Sequence, residues 1–403
     1  MSLLMGLFNL FALIYVFRSV QLAVNIGRNW TAVRQPPLTP HKKQLAEQAA
    51  FFIAVPPAVL IHELFHALAT WLYGGQVIEF GYRVFWGYVV PVGDFTPAQQ
   101  WLIALAGTLG SLLTGLLLWL ALRRRSSPAL RYFGLRAFRF QIYFSLIYYP
   151  VFTLFLPVGD WRTIYHFQST PVLSGVTAVL HVAALLGFWL LDRQGWFEAP
   201  ATTSATDAQQ LAALQSEAAQ HPIDLPLQLR AIDGLRRSGA TQQARSRLRG
   251  LIRQHPHLAA AHLLLAAVES DGAQVSSSAV RQAQQALQLG LDDRHQVALA
   301  HQIIGRFHLE RGNGQAAATH FTQALDHTAI PNHTSDNHLY LAQLHHQRSL
   351  AYRRLQQHEP AYQDIQQAIG YAQTAGNTAA ERRYRDELEV LEKHAGRRLT
   401  PPT

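Results

Sequence analysis

The sequence predicts a mostly α-helical chain in two parts. First comes a polytopic membrane helix bundle of about five spans with a membrane-associated β-hairpin; a soluble solenoid of helical hairpins follows. Three observations predict this. Charge is divided unequally: residues 1–200 hold 14 Lys/Arg and 7 Asp/Glu, whereas residues 201–403 hold 20 and 18. The first half contains apolar runs of about 20 residues, the length a helix needs to cross a bilayer. The second half shows helical periodicity with small residues at recurring spacings. The net charge of +9 comes mostly from the first half, so it is not a nucleic-acid signal and no nucleic-acid partner is expected. With no cysteine in the chain, disulfides, thiolate metal sites and a cysteine nucleophile are excluded.

The first expected span is residues 3–26, "LLMGLFNLFALIYVFRSVQLAVNI", with Arg18 able to snorkel. It reads as an uncleaved anchor rather than a signal peptide. A polar loop, 27–48, carries Pro36, Pro37 and Pro40. The second span, 49–73, is kinked or restarted at Pro56 and Pro57. The third is 101–122, the fourth 138–157, broken near Pro150 and Pro157, and the fifth 172–191. Between the second and third, residues 74–100 alternate Val77, Glu79, Gly81 and Arg83 against Ile78, Phe80, Tyr82 and Val84, the pattern of a strand, with Gly87 and Gly93 as turn points. The loops 27–48 and 123–139 carry ten Lys/Arg against two in the loops 74–100 and 158–171. The positive-inside rule places the first pair in the cytoplasm. Five spans then put the C-terminal half there as well, in a multi-pass protein of the inner or plasma membrane with lipid as its surroundings.

Residues 199–207, "APATTSATD", read as a small-residue linker. Beyond it the chain resembles tetratricopeptide repeats. The register fits Ala244, Leu248, Leu251 and Pro256, then Ala279, Ala283 and Ala286, then Gly305, Ala317, Phe321 and Ala324, and last Ser349, Tyr352, Ala361, Ile365 and Ala368. Each hairpin would bury its small-residue face against its neighbour and offer a concave surface to a protein partner. The expected domains are a membrane domain at 1–198, a linker at 199–208, a repeat domain at 209–395 and a disordered tail at 396–403. Fifteen of the 20 histidines lie in the second half; no ligand spacing is visible among them, and they read as solvated surface.

The chemistry concentrates in "VLIHELFHALATWLYGG", residues 59–75. His62 and His66 stand at i and i+4, one turn apart on one helix face, so both imidazoles can reach a single Zn²⁺. Glu63 sits beside the first and can take a proton from water, the arithmetic of H-E-x-x-H. About eleven apolar residues precede His62, which places it roughly 16 Å along the span. Ionisable groups at such depth are costly and point to function rather than packing. A catalytic zinc takes three protein ligands. The third must be His, Asp or Glu near membrane depth: Glu79, Asp94, Asp160, His166 or His181. Asp160, in "LFLPVGDW", stands where Pro157 and Gly159 can break a span and turn a carboxylate inward. His181, midway along the fifth span, reads as a polar packing residue, with an oxyanion contact as the alternative.

Three stretches, "HELFH" at 62–66, "LAGTLGSLLTG" at 105–115 and "LPVGDW" at 156–161, together with the hairpin after the first, resemble the site-2 protease (M50, M50B-like) family of intramembrane zinc metalloproteases over roughly residues 45–190. The resemblance implies zinc held by His62, His66 and Asp160, Glu63 as general base, and hydrolysis of peptide bonds in membrane-protein substrates. Phe65, Thr108, Gly110 and Trp161 depart from the family's usual residues. The alternative reading is an inactive membrane scaffold that presents the repeats, and Phe65 is its main support. A transporter with an intramembrane His/Glu/Asp pathway fits less well, since no inverted repeat is visible.

Overall fold

Threonine, serine and proline set where several long helices begin. Thr39 caps α3 (Pro40–Phe52) by accepting from Lys42 N, and Ser127 caps α6 (Pro128–Tyr143) through Leu130 N. Thr96 caps α5 (Pro97–Leu122) in a reciprocal box with Gln99. In each case proline follows the cap at the first helical position, where its missing N–H costs nothing. The computed structural model describes residues 2–155, 159–328 and 335–395. The expected tail at 396–403 lies outside these, as does Pro157.

In chain order the first part contains α1 (Ser2–Arg28), α2 (Trp30–Arg34), α3, α4 (Val55–Leu72), β1 (Gln76–Tyr82), β2 (Gly87–Val92), α5 and α6. A π-helical turn (Phe144–Tyr148), α7 (Tyr149–Phe155), α8 (Asp160–Ile164) and α9 (Pro171–Arg193) follow. Four helical stretches among the described residues are long and apolar enough to cross a membrane: Leu10–Arg28, Pro40–Leu72, Pro97–Leu122 and Pro171–Arg193. Their outward residues are large and apolar, Phe17, Leu72, Leu117 and Val172 among them, as a hydrocarbon solvent requires. The remaining expected span, 138–157, differs. It is helical from Pro128 through the π turn to Phe155, and Arg139, Gln141 and three tyrosines lower its hydropathy.

Proline shapes two of these helices. The chain breaks after Phe52 and restarts at Val55, so that Pro56 and Pro57 fall in the first turn of α4. Pro150 cannot donate to the carbonyl of Leu146, and the helix widens into the π turn just before it. The freed carbonyl accepts instead from His181 Nε2 at 2.7 Å.

β1 and β2 pair antiparallel from Gln76↔Val92 to Tyr82↔Gly87, with a bulge between Val77 and Glu79. The turn is made by residues 83–86, where Arg83 N donates to Trp86 O at 2.8 Å and Val84 takes a φ of 68°. Gly87 therefore opens β2 rather than the turn, for a reason given below. The hairpin packs on α4, and the Tyr82 hydroxyl donates to Pro56 O at 3.0 Å.

After residue 200 come α10 (Ala205–Gln220), α11 (Leu225–Arg237), α12 (Thr241–Gln254), α13 (Ala259–Ser270), α14 (Ser277–Leu289) and α15 (Arg294–Glu310). Then follow α16 (Gly314–His327), α17 (Ser335–Arg354), α18 (His358–Thr374) and α19 (Thr378–Ala395). By packing, Met1–Ala219 with Arg237–Gln243 form one unit, and Gln220–Arg236 with Ala244–Thr403 a second. Within the second, successive helices from α13 to α19 pack in order, as a solenoid does. The small residues picked out by spacing are its interfaces. Ala279, Ala283 and Ala286 are buried, as are Ala317, Phe321 and Ala324 and also Ala361, Ile365 and Ala368. Gly305 lies against Phe321, whose ring a Cβ would meet at 2.8 Å. Ser349 Oγ donates to Ala361 O at 2.8 Å.

Candidate metal centre

Helix α4 carries His62, Glu63 and His66 within two turns, and Glu63 (5% exposed) and His66 (7%) are buried. The two rings stand nearly perpendicular with centroids 4.7 Å apart, and their Nε2 atoms are 3.1 Å apart. Asp160 closes the group from the other end of the domain. Its Oδ2 lies 3.0 Å from His62 Nε2 and 3.1 Å from His66 Nε2. Gly159, at φ 141°, makes the turn that puts Asp160 first in α8; at that φ only glycine is at ease, and a Cβ there would also strike Thr153 Cγ2 at 2.5 Å. The Tyr149 hydroxyl donates to Asp160 Oδ2 at 3.0 Å and accepts from Asp160 N at 3.3 Å.

The outer nitrogens of the two histidines are also engaged. His66 Nδ1 is 2.7 Å from Ile103 O. A carbonyl only accepts, so Nδ1 carries the hydrogen, and in the neutral ring Nε2 presents a lone pair inward. His62 Nδ1 meets Ser111 Oγ at 3.1 Å. A lone pair and a carboxylate oxygen thus point at each other, an arrangement that a cation between them resolves. Neighbouring ligands about 2.0–2.1 Å from a tetrahedral ion stand roughly 3.3 Å apart, close to the three separations here. His62, His66 and Asp160 are the one group of three or more such side chains, among the described residues, with ligand atoms all within 4.8 Å. Two imidazoles and a carboxylate are a donor set that suits zinc.

Backbone without side chains makes room for this cluster. A Cβ at Gly107, on α5, would come within 2.2 Å of His66 Nε2 and 2.6 Å of His62 Nε2. One at Gly110 would meet the Phe65 ring at 2.8 Å, so Phe65 is seated on α5 where a glycine gives it space. One at Gly87 would meet Glu63 Cγ at 2.6 Å and Oε1 at 2.8 Å, which explains the glycine at the start of β2. Trp161 is buried with Trp101, Ala104 and Ile164, and its ring lies tilted by 33° against the His181 ring at a centroid distance of 4.6 Å.

The other candidates lie elsewhere. Glu79 accepts from the Tyr88 hydroxyl across the hairpin, His166 pairs with Ser169 at 2.7 Å, and Asp94 is exposed. His181 spends both nitrogens locally, Nδ1 on the Tyr165 hydroxyl at 2.5 Å and Nε2 on Leu146 O, so it is a packing residue. Ser111, Gly107 and Tyr149 are not evident as site residues from spacing alone. Gly107 and Ser111 do stand four apart within "LAGTLGSLLTG", hence on one face of α5.

No curated protein sequence matches the chain. A solved structure, "Crystal structure of MamA protein", is similar at 15% identity over 44% of this chain and 97% of that chain, with a TM-score of 0.30. Four long apolar helices and the family match together mark a membrane protein. Residues 56–221, which contain His62, Glu63, His66, the hairpin, Gly107, Ser111 and Asp160, match the family model Peptidase M50B-like.

Proposed function

We propose that the chain is an intramembrane zinc metallopeptidase of the site-2 protease type, which hydrolyses peptide bonds of membrane-protein substrates. The observation that carries this is the meeting of His62 Nε2, His66 Nε2 and Asp160 Oδ2 at 3.0–3.1 Å beside a buried Glu63. Zn²⁺ held by these three side chains supplies Lewis acidity and makes water acidic enough to react near neutral pH. Glu63 takes one proton from the attacking water at its carboxylate and delivers it to the leaving amide nitrogen as the C–N bond breaks. Gly87 confines that carboxylate from one side. The free edges of the hairpin hold an unwound substrate segment by strand pairing, since a helical substrate hides its carbonyls.

The composite helix 128–155 serves as the fifth crossing; 28 helical residues reach about 40 Å. The basic loops then face the cytoplasm with the second unit, whose hairpins act as tetratricopeptide-like repeats that recruit a substrate or protein partner. A reporter fused after residue 200 is expected inside; an outside signal reverses the orientation.

The inactive-scaffold alternative rests on Phe65, and the seat of that ring on Gly110 weighs against it. Zinc content and cleavage of a model transmembrane substrate decide between them. Wild type is expected to hold zinc and cut. Asp160→Ala and His62→Ala lose both, and Glu63→Gln keeps the metal without cutting. Zinc without cleavage in wild type favours the scaffold, and no zinc at all overturns both.

A further inference from the structure

The histidines of the second unit, expected to be solvated surface, are not scattered where α15 and α16 meet. His301 and His308 stand seven apart on α15, and His320 and His327 seven apart on α16, so each pair shares a helix face two turns apart. The antiparallel packing of the two helices interleaves them into one file of rings. His301 stacks against His327 at 6.1 Å and 17°, and against His320 at 5.4 Å and 28°. His320 stacks against His308 at 5.7 Å and 1°. At the middle of the file, His301 Nδ1 and His320 Nδ1 approach to 3.1 Å.

That spacing is the one two ligands adopt around a single tetrahedral ion. Other histidines of this unit have at least one nitrogen on a fixed acceptor. His262 is held by Gln282 and Pro256 O, His345 by Asp364, and His346 by Glu387. The four rings of the file face each other, His320 also bonding the Gln323 side chain, and all are half-buried, open enough for an ion and water to enter.

We propose that the α15–α16 hairpin carries a second metal site, in which His301 and His320, joined by a turning His308 or His327, bind one divalent transition ion such as Zn²⁺ across the two helices. Water completes the shell on the open side. The ion clamps the hairpin from its surface, in addition to the buried Ala317, Ala324 and Phe321 beneath. The proposal is independent of the peptidase reading, because no residue is shared.

The test is zinc titration of the full chain in detergent against a competing chelator, in wild type and in a His62→Ala/His66→Ala background. In both, His301→Gln/His320→Gln is expected to bind one equivalent less, and His308→Gln/His327→Gln to bind about tenfold more weakly. His295→Gln, on an exposed turn of α15, leaves binding unchanged. In the His62→Ala/His66→Ala background, zinc also slows amide exchange in α15 and α16, a readout that needs no substitution in the hairpin. Equal stoichiometry and affinity with and without His301 and His320, or no slowing of exchange, overturns the proposal and leaves two imidazoles that share only a proton.

Discussion

Gly107 and His66 approach so closely that a single added carbon would end the arrangement: a Cβ on the glycine falls 2.2 Å from the ring's Nε2. Both lie on long apolar helices, α4 and α5, that pack closely where small residues allow. Gly107→Ala is therefore expected to displace both imidazoles and abolish zinc retention with the helices still formed. Zinc content measured beside circular dichroism checks this; full zinc in the variant would show that α5 yields more easily than the rings.

Ser111 holds the outer nitrogen of His62 at 3.1 Å. Partners of this kind fix ring orientation, and their loss typically costs about 10–100-fold in metal affinity or activity. Ser111→Ala should weaken zinc within that range, read by competition with a chelator. An unchanged affinity would mean that packing alone orients His62.

Tyr149→Phe removes the hydroxyl that both donates to Asp160 Oδ2 and accepts from Asp160 N. The ring remains to pack against His62, 5.8 Å away. Zinc should dissociate about tenfold faster, with thermal unfolding little changed. Equal dissociation rates would assign the position of Asp160 to Gly159 and α8 alone.

In the second unit, Asp364 is buried and takes two hydrogen bonds from Arg348, at 2.7 and 2.8 Å, and one from His345 at 2.8 Å. Burial pushes its pKa up, but the bonds from Arg348 and His345 outweigh that and leave it below the ordinary carboxylate value. A carboxylate depressed on folding adds stability that is fully present above its unfolded pKa of about 3.9 and is lost as pH falls through the folded value. Amide protection in α17 and α18 should thus persist down to about pH 4 and decline below it. Asp364→Asn should lose about 3 kcal/mol already at pH 7, since Arg348 is left without its carboxylate. Hydrogen exchange against pH reads both, and a variant as protected as wild type would contradict the argument.

Local spacing makes some of this molecule legible in its sequence and leaves the rest hidden. His62, Glu63 and His66 are one turn of one helix, so the 3.6-residue period places them together without knowledge of the fold. The alanines of the repeats are legible for the same reason. Asp160 is 94 residues from His66, and only the turn at Gly159 and the resemblance single it out. Tyr149 lies eleven residues before Asp160 and reaches it only because α7 and α8 fold back on each other, which no periodicity shows. The span expected at 138–157 has the length of a crossing, but Arg139 and Gln141 dilute its hydropathy, and Pro150 turns its middle into a π turn. The four histidines of α15 and α16 have a helical period of seven, but their meeting depends on the offset between two antiparallel helices.

Glu63 rests on Gly87, the two imidazoles on Gly107 and Phe65 on Gly110, three contacts in which one partner contributes only backbone. The centre is shaped as a mould is, by what has been left out. A scan that replaces each residue with alanine would add matter at these three positions instead of removing it. It should therefore find inactive variants where no reactive group exists, at sites an inventory of acids, bases and ligands would pass over.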